Sequence, residues 1–510
     1  MWKAAAMLAA AALLTRLPSL WIHVLDVDEA IWAVAARAWL AGGVPYIDFA
    51  DNKPLGIMAM MAAIFRIGDN GSLVWVHAFT IAWVAATGMA VLKLVEPLAG
   101  RRAGLAAGLL YVVFSANYIP KVISTNIETI INLPLAMSAI ALMRAWRSRP
   151  IANLFLAGTM VGIACCFKYQ AGIMALYIPA ALIAMPPGGF SSRARGTLAG
   201  IASFSAGAAW PFALMIAYLY SQGSLPAFAD ATLGGSMSYI AKGSELAGLA
   251  TRIAVRLGSF VAASSPLWFF AVKRAIRLRR SLLRMPGEIF LLGWLCVTTV
   301  AVVTGWRLYG HYFLLWLPPL AALAGMEIRL SFAEWSGSRR GLACKAAAVA
   351  SIAVITIGLA VPRYMIEKVN GATGEDNPSD YLPIAMEVAN RTSPAERIFA
   401  WGYAPCIYYF SDRLPSYRYQ WSDRLTGRHS RPGKVAAIDL SDPAIVREWR
   451  DWSADMEKNR PAYIIDTSPA KLHDAEHYPV SNYPMLKALL ESGYEIEDNV
   501  AGADLYRKRY

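Results

Sequence analysis

Runs of about 20 apolar residues, long enough to cross a hydrocarbon core as a helix, recur from the N-terminus to about Pro362 and then stop. With 57% of its 510 residues hydrophobic and only 16% charged, the chain is too apolar for a soluble protein of this size. The pattern predicts roughly eleven spans, near residues 2–22, 73–95, 103–120, 127–146, 151–167, 170–186, 197–220, 251–272, 287–305, 312–328 and 343–362. Glycine, proline and small residues are scattered through them, as membrane helices tolerate. The expected architecture is a polytopic α-helical membrane part over residues 1–362, with a first external loop at 23–72, followed by a small external α/β domain at 363–510.

The net charge of +13 does not indicate nucleic acid, because the basic residues are grouped in short loops between spans. Arg101–Arg102, Arg144–Arg147–Arg149, Arg193–Arg195, the run Lys273 to Arg284, and Arg329–Arg339–Arg340–Lys345 fall in every second loop. The positive-inside rule puts those loops in the cytoplasm, and with them the N-terminus, and puts the C-terminal part outside. Apolar character continues past Arg16 to Ile22 with no clear cleavage site, so the first span is expected to be retained. The five cysteines suggest neither a disulfide framework nor a cysteine metal site, and no glycine-rich nucleotide loop is present.

The first loop carries the densest polar chemistry. Its segment DEAIWAVAARAWLAGG reads as an amphipathic helix along the membrane surface, with Asp28 as N-cap and Gly42–Gly43 as stop. Asp28 and Glu29 can accept a proton from a hydroxyl as general bases, and they equally suit the start of a helix, where its dipole favours acids. Further along, YIDFADNKP offers Lys53 as a counter-charge to a phosphate, and Asp48 and Asp51 as ligands for sugar hydroxyls or a metal. A solvated loop with a snorkelling lysine has the same composition. Arg16, near the outer end of the first span, suits either headgroup contact or a carrier phosphate.

Other polar positions lie at the outer ends of later spans. Lys121, Asn126 and Glu128 occur in YIPKVISTNIETI, and an ionisable residue at membrane depth is a functional candidate. Lys168, Tyr169 and Gln170 form an abrupt polar turn that can reach a phosphate or a sugar, or simply close a tight loop. GWRLYGHYFLLWLPPL brings Arg307, Tyr309, His311 and Tyr312 to an interface where aromatic residues commonly anchor. A lone histidine is no metal signature.

In the tail, strand-like runs (RIFAWGY, AYIIDTS, YEIED) alternate with helix-like ones (AIVREWRDWSADMEKN, PMLKALLESG), which predicts a small α/β fold.

Taken in order, DEAIWAVAARAWLAGGVPYIDFADNKPLG after the first span, the acid in TNIE, the KYQ turn and LYGHYFLLWLPPLAALAG resemble the bacterial branch of glycosyltransferase superfamily C. These are the dolichyl-phosphate-mannose:protein mannosyltransferase-like proteins, which include lipid A aminoarabinose transferases. The resemblance spans most of residues 1–362. It implies an inverting transfer of a sugar from a polyprenyl-phosphate carrier to a glycan, lipid or protein acceptor, in a bacterial inner membrane with the site on the periplasmic side. Asp28, followed by Glu29, then corresponds to the catalytic acid pair. Lys53–Pro54 corresponds to the donor-phosphate element. Arg16, Asp48, Asp51, Glu128, Lys168, Tyr309 and His311 are the further substrate-binding candidates.

Aminoarabinose transferases carry a metal-linked glutamate before that lysine, whereas this chain has Asn52. A divalent metal is therefore compatible with the resemblance but not required by it, and an aminoarabinose donor is disfavoured. Membrane lipids are expected partners and nucleic acid is not. A transporter or lipid flippase is the competing class; its ionisable residues would sit near the bilayer midplane in broken helices, rather than at one face as here.

Overall fold

The computed structural model describes residues 1–68, 71–116, 120–184, 193–234, 249–278, 286–304, 306–358, 377–426 and 440–509. In chain order its first helices are α1 (Trp2–Arg16), α2 (Val27–Leu40), α3 (Gly56–Gly68), α4 (Leu73–Ala99), α5 (Arg101–Phe114), α6 (Ile127–Ala145), α7 (Pro150–Phe167), α8 (Gly172–Ala184) and α9 (Arg193–Ser221). Among the described residues eight helices are long and apolar enough to cross a membrane, or nine if the bent pair Leu249–Ala263 and Ser265–Leu278 is one span. The chain is a multi-pass membrane protein. Eleven spans are expected from the sequence, but α5 and α8 have only 14 and 13 residues. At 1.5 Å per residue each is about 20 Å long, short of a hydrocarbon core.

Close backbone approach holds the bundle together. A Cβ added at Gly158 of α7 would stand 1.9 Å from the Phe204 carbonyl of α9, and one at Gly207 of α9 would stand 2.1 Å from Phe155 O. Lipid tails give no hydrophobic drive between helices, so small residues that bring backbones into contact supply the packing instead. At the end of the bundle away from the first loop, Arg274 donates two hydrogen bonds to Glu288 at 2.6 and 2.7 Å, and Arg277 bonds Glu327 and Glu334.

Helix α2 departs from the expected surface helix. Ala30 to Ala36 are buried all round, and the helix packs on α3 and on the helix Pro405–Ser411 of the C-terminal part. Its alanines leave room for neighbours on every side, so a bilayer surface is not needed to cover them. The N-cap also differs: Asp26, not Asp28, precedes the first turn, and its Oδ1 accepts from Asp28 N at 3.1 Å. The stop falls where expected, with Gly42 at φ +93°.

The C-terminal part contains a four-stranded sheet of β1 (Ile398–Trp401), β2 (Tyr463–Asp466), β3 (Tyr494–Val500) and β4 (Ala503–Lys508), in the order β1-β2-β4-β3. β1 and β2 are parallel, and β4 runs antiparallel to both of its neighbours. Buried Trp401, Trp449, Trp452 and Tyr483 fill the space between sheet and helices. This small α/β fold sits on the first loop. Ala50 N donates to Arg418 O at 2.8 Å, Lys458 pairs with Asp48 at 2.7 Å, and Arg37 donates to Tyr409 O at 2.8 Å.

Candidate active site

Asp28 lies in the first turn of α2, half-buried, where the C-terminal fold meets the membrane part. The hydroxyl of Tyr403 donates to its Oδ1 at 3.4 Å. Glu29, the next residue, turns inward and is fully buried. Its carboxylate accepts from Thr125 N at 2.5 Å, Leu25 N at 3.0 Å and His77 Nε2 at 3.1 Å. Burial alone would raise its pKa, yet the charge of His77 and these donors hold it below the ordinary value. His77 Nδ1 faces Ser19 O at 2.7 Å, which fixes the ring between that carbonyl and Glu29. Glu29 thus ties α1, α2, α4 and the approach to α6 together. The adjacent acids differ in setting, with Glu29 inside the scaffold and Asp28 half-buried beside Tyr403.

The loop after α2 delivers Lys53. Asp51, buried, accepts from Trp32 Nε1 at 2.8 Å and from Asn52 N at 2.6 Å, and holds Lys53 Nζ at 3.4 Å. The ammonium also lies 5.3 Å from the Trp32 ring centre. Burial would lower the Lys53 pKa, but Asp51, Asp28 and Glu128 together hold it above the ordinary value, so Lys53 is a fixed cation within electrostatic reach of Asp28. Tyr46 braces this corner, donating to Lys53 O at 2.8 Å from a backbone held at φ +66°. That conformation is costly for an aromatic residue and is the sort of strain that gathers at functional sites.

Three later spans add to the same cluster. Glu128, in the first turn of α6, pairs with Lys168 at the end of α7. The Lys168 ammonium stands 4.1 Å from the centre of the Tyr312 ring. Tyr309, His311 and Tyr312 pack on one another, with the Tyr309 and His311 rings stacked at 5.9 Å. The charges that act on His311 are those of Glu128, Lys168, Asp28 and Lys53. Residues from four separate stretches of sequence therefore meet around Asp28 and Lys53. The chain enters the tyrosine-histidine stretch through Trp306 and Leu308, both at left-handed φ near +50°.

Two expected members of the site are engaged elsewhere. Arg16 is wholly buried and donates to the carbonyls of Ile123 at 2.7 Å and of Ser115 and Val122 at 3.2 Å. It caps backbone between α5 and α6. Asp48 accepts from Val44 N and from Lys458, and serves as a latch to the C-terminal fold. The Lys121 side chain lies outside the described residues.

Sequence reasoning missed Trp32, Tyr46, His77 and Tyr403. For Tyr403, no local signal exists: it lies 375 positions from Asp28. Burial, followed by the charges of Asp28, Asp423, Asp26 and Asp51, raises the Tyr403 pKa well above its ordinary 10.0, so the phenol acts only as a donor.

The polar groups beside Lys53 are engaged with one another. Among the described residues no three His, Cys, Asp or Glu side chains come together as ligands. Asp51 already takes two N–H donors and a lysine, and Asn52 Oδ1 accepts from Lys53 at 3.3 Å.

Residues 52–210 match the sequence profile of the dolichyl-phosphate-mannose-protein mannosyltransferase family. None of the curated proteins matches the chain in sequence. By fold the chain resembles ArnT from Cupriavidus metallidurans bound to undecaprenyl phosphate, with TM-score 0.59, 12% identity, and 98% of this chain and 97% of that one covered. It also resembles the oligosaccharyltransferase of Archaeoglobus fulgidus in complex with zinc and sulfate, with TM-score 0.56, 13% identity, and 99% of this chain and 73% of that one covered. Profile and fold together bear out the resemblance to glycosyltransferase superfamily C.

Proposed function

We propose that this protein is an inverting glycosyltransferase that moves a sugar from a polyprenyl-phosphate carrier to an envelope glycan, lipid or protein acceptor at the periplasmic face of a bacterial inner membrane. The observation that carries this reading is the pairing of a half-buried carboxylate, Asp28, with a fixed ammonium, Lys53, in one loop at the outer edge of the spans. The acceptor oxygen attacks the anomeric carbon and loses its proton to Asp28. The bond from that carbon to the phosphate oxygen breaks with its electron pair, leaving a polyprenyl phosphate monoester beside Lys53. A single in-line displacement inverts the carbon. Lys168 and His311 lie within electrostatic reach of Asp28 and Lys53, and Lys168 adds a second cation to the cluster. The match to a structure bound to undecaprenyl phosphate supports the carrier class.

Asn52 and the occupied Asp51 support transfer without an obligatory metal, and Asn52 disfavours an aminoarabinose donor. The test uses the envelope lipid extract of a strain lacking the protein, which accumulates both donor and acceptor. Incubated with the purified full-length protein, it should release free polyprenyl phosphate and yield a glycan heavier by one sugar, with or without chelator. Extract that gives neither product would overturn the reading. Loss with chelator and recovery with a divalent cation would overturn the metal-free form.

A further inference from the structure

Tyr403 leaves the C-terminal end of β1 through Gly402, whose φ of +119° is open to glycine and rarely to other residues. A Cβ at Gly402 would also stand 2.2 Å from Thr467 Oγ1, so both backbone and space demand glycine at the point where the chain turns toward the membrane part. Tyr381 donates to Tyr403 O at 3.2 Å, and His473 stacks on the Tyr403 ring at 4.5 Å. His473 reaches that position on a backbone strained at three nearby residues, with Lys471, His473 and Asp474 all at φ between +52° and +59°. These features converge on one hydroxyl, which the C-terminal fold brings to Asp28. The 3.4 Å separation is long for an O–H donor to a carboxylate, as catalytic hydrogen bonds often are before substrate is present.

Resting on the glycosyltransferase reading above, we propose that Tyr403 is a positioning residue for that reaction, supplied by the C-terminal α/β fold to orient the Asp28 carboxylate, so that the membrane part alone holds an incomplete site. The carboxylate lies among charges on several elements. Lys53, Lys168 and His311 face it from the membrane part, while Asp26, Asp51 and Asp423 lie with it around the Tyr403 hydroxyl. A donated hydrogen bond favours the ionised form of Asp28 against that acidic background.

The experiment compares wild type, Tyr403→Phe and His473→Ala, each full-length, for release of polyprenyl phosphate from the same lipid extract across pH. Binding of undecaprenyl phosphate alone is measured in parallel. Tyr403→Phe should bind undecaprenyl phosphate as wild type does, turn over about 10-fold to 100-fold more slowly, and shift the acidic limb of its rate profile to higher pH. His473→Ala, which keeps the hydroxyl but frees the ring, should slow turnover less. Unchanged turnover and pH profile in a folded Tyr403→Phe that binds the carrier would overturn the proposal while leaving the function standing. A wild type inactive on the extract would overturn both. An equal loss of carrier binding and turnover, with no pH shift, would mark Tyr403 as structural only and also overturn it.

Discussion

At Asp28 the structure separates two readings that the sequence leaves entangled. Asp26 supplies the helix cap, so Asp28→Asn disturbs no capping bond and keeps side-chain shape while removing the proton acceptor. Turnover should fall on the order of 10²–10⁴ with folding and carrier binding intact, measured by polyprenyl phosphate release. Near-normal turnover would move the base elsewhere. Lys53→Ala should cost about 10²–10³ in turnover, because it withdraws a preorganised cation from the leaving phosphate. A larger loss in Asp51→Asn than in Lys53→Ala would instead point to Asp51 as the chemical group. The types and order of Asp28, Lys53, Glu128, Lys168 and His311 are readable in the sequence because they stand in the first loop or beside the ends of apolar runs. The division between Asp28 and Glu29 is not readable. Whether a carboxylate stays half-buried or turns into a nest of donors depends on Thr125, Leu25 and His77, which long-range packing brings to it.

Among the elements, α2 shows where pattern reading fails and why. An apolar face of Ile31, Trp32, Ala35, Ala38 and Trp39 suits a membrane-surface helix, but the same small residues let α3 and the helix Pro405–Ser411 cover it from other sides. Periodicity reports which positions are apolar, not whether lipid or protein covers them. The buried Glu29 at its start makes the seating of α2 dependent on pH. A carboxyl whose pKa is lowered in the folded state contributes stability that is complete above its ordinary value of 4.5 and is lost as pH falls through the lowered one. Thermal unfolding of the detergent-solubilised protein should therefore show a fall in Tm between pH 6 and pH 3 (~3 units) that is smaller in Glu29→Gln, itself less stable at neutral pH. Parallel pH curves for the two proteins would show that Glu29 does not anchor α2.

For the molecule as a whole, contact between the first loop and the C-terminal fold constrains the topology. Asp28 meets Tyr403, Asp48 meets Lys458 and Ala50 meets Arg418, so both parts lie on one side of the membrane. The first loop follows the first span, so the total number of crossings must be odd. Eight long helices are an even number; counting the bent pair as one span gives nine. Two short helices, α5 and α8, bear on the longer count. α5 connects the far end of the 27-residue α4 to Ser115, whose carbonyl binds Arg16 beside the first loop, so the chain has crossed back within it. α8 starts beside Lys168 in the cluster and leads to α9, whose far end is followed by Asp230 paired with Arg447 of the C-terminal fold. Each short helix lies in a path compatible with a crossing, and eleven crossings with the basic loops inside is the arrangement to be tested. Tags after Arg339 should then report the cytoplasm, and tags after Gly42 and at the C-terminus the opposite side. Interrupting the chain with a tag after Ser124, between α5 and α6, tests the short helix α5: eleven crossings place it on the same side as the first loop. A tag there on the side opposite the first loop would remove α5 from the count and break the parity that the contacts with the C-terminal fold demand.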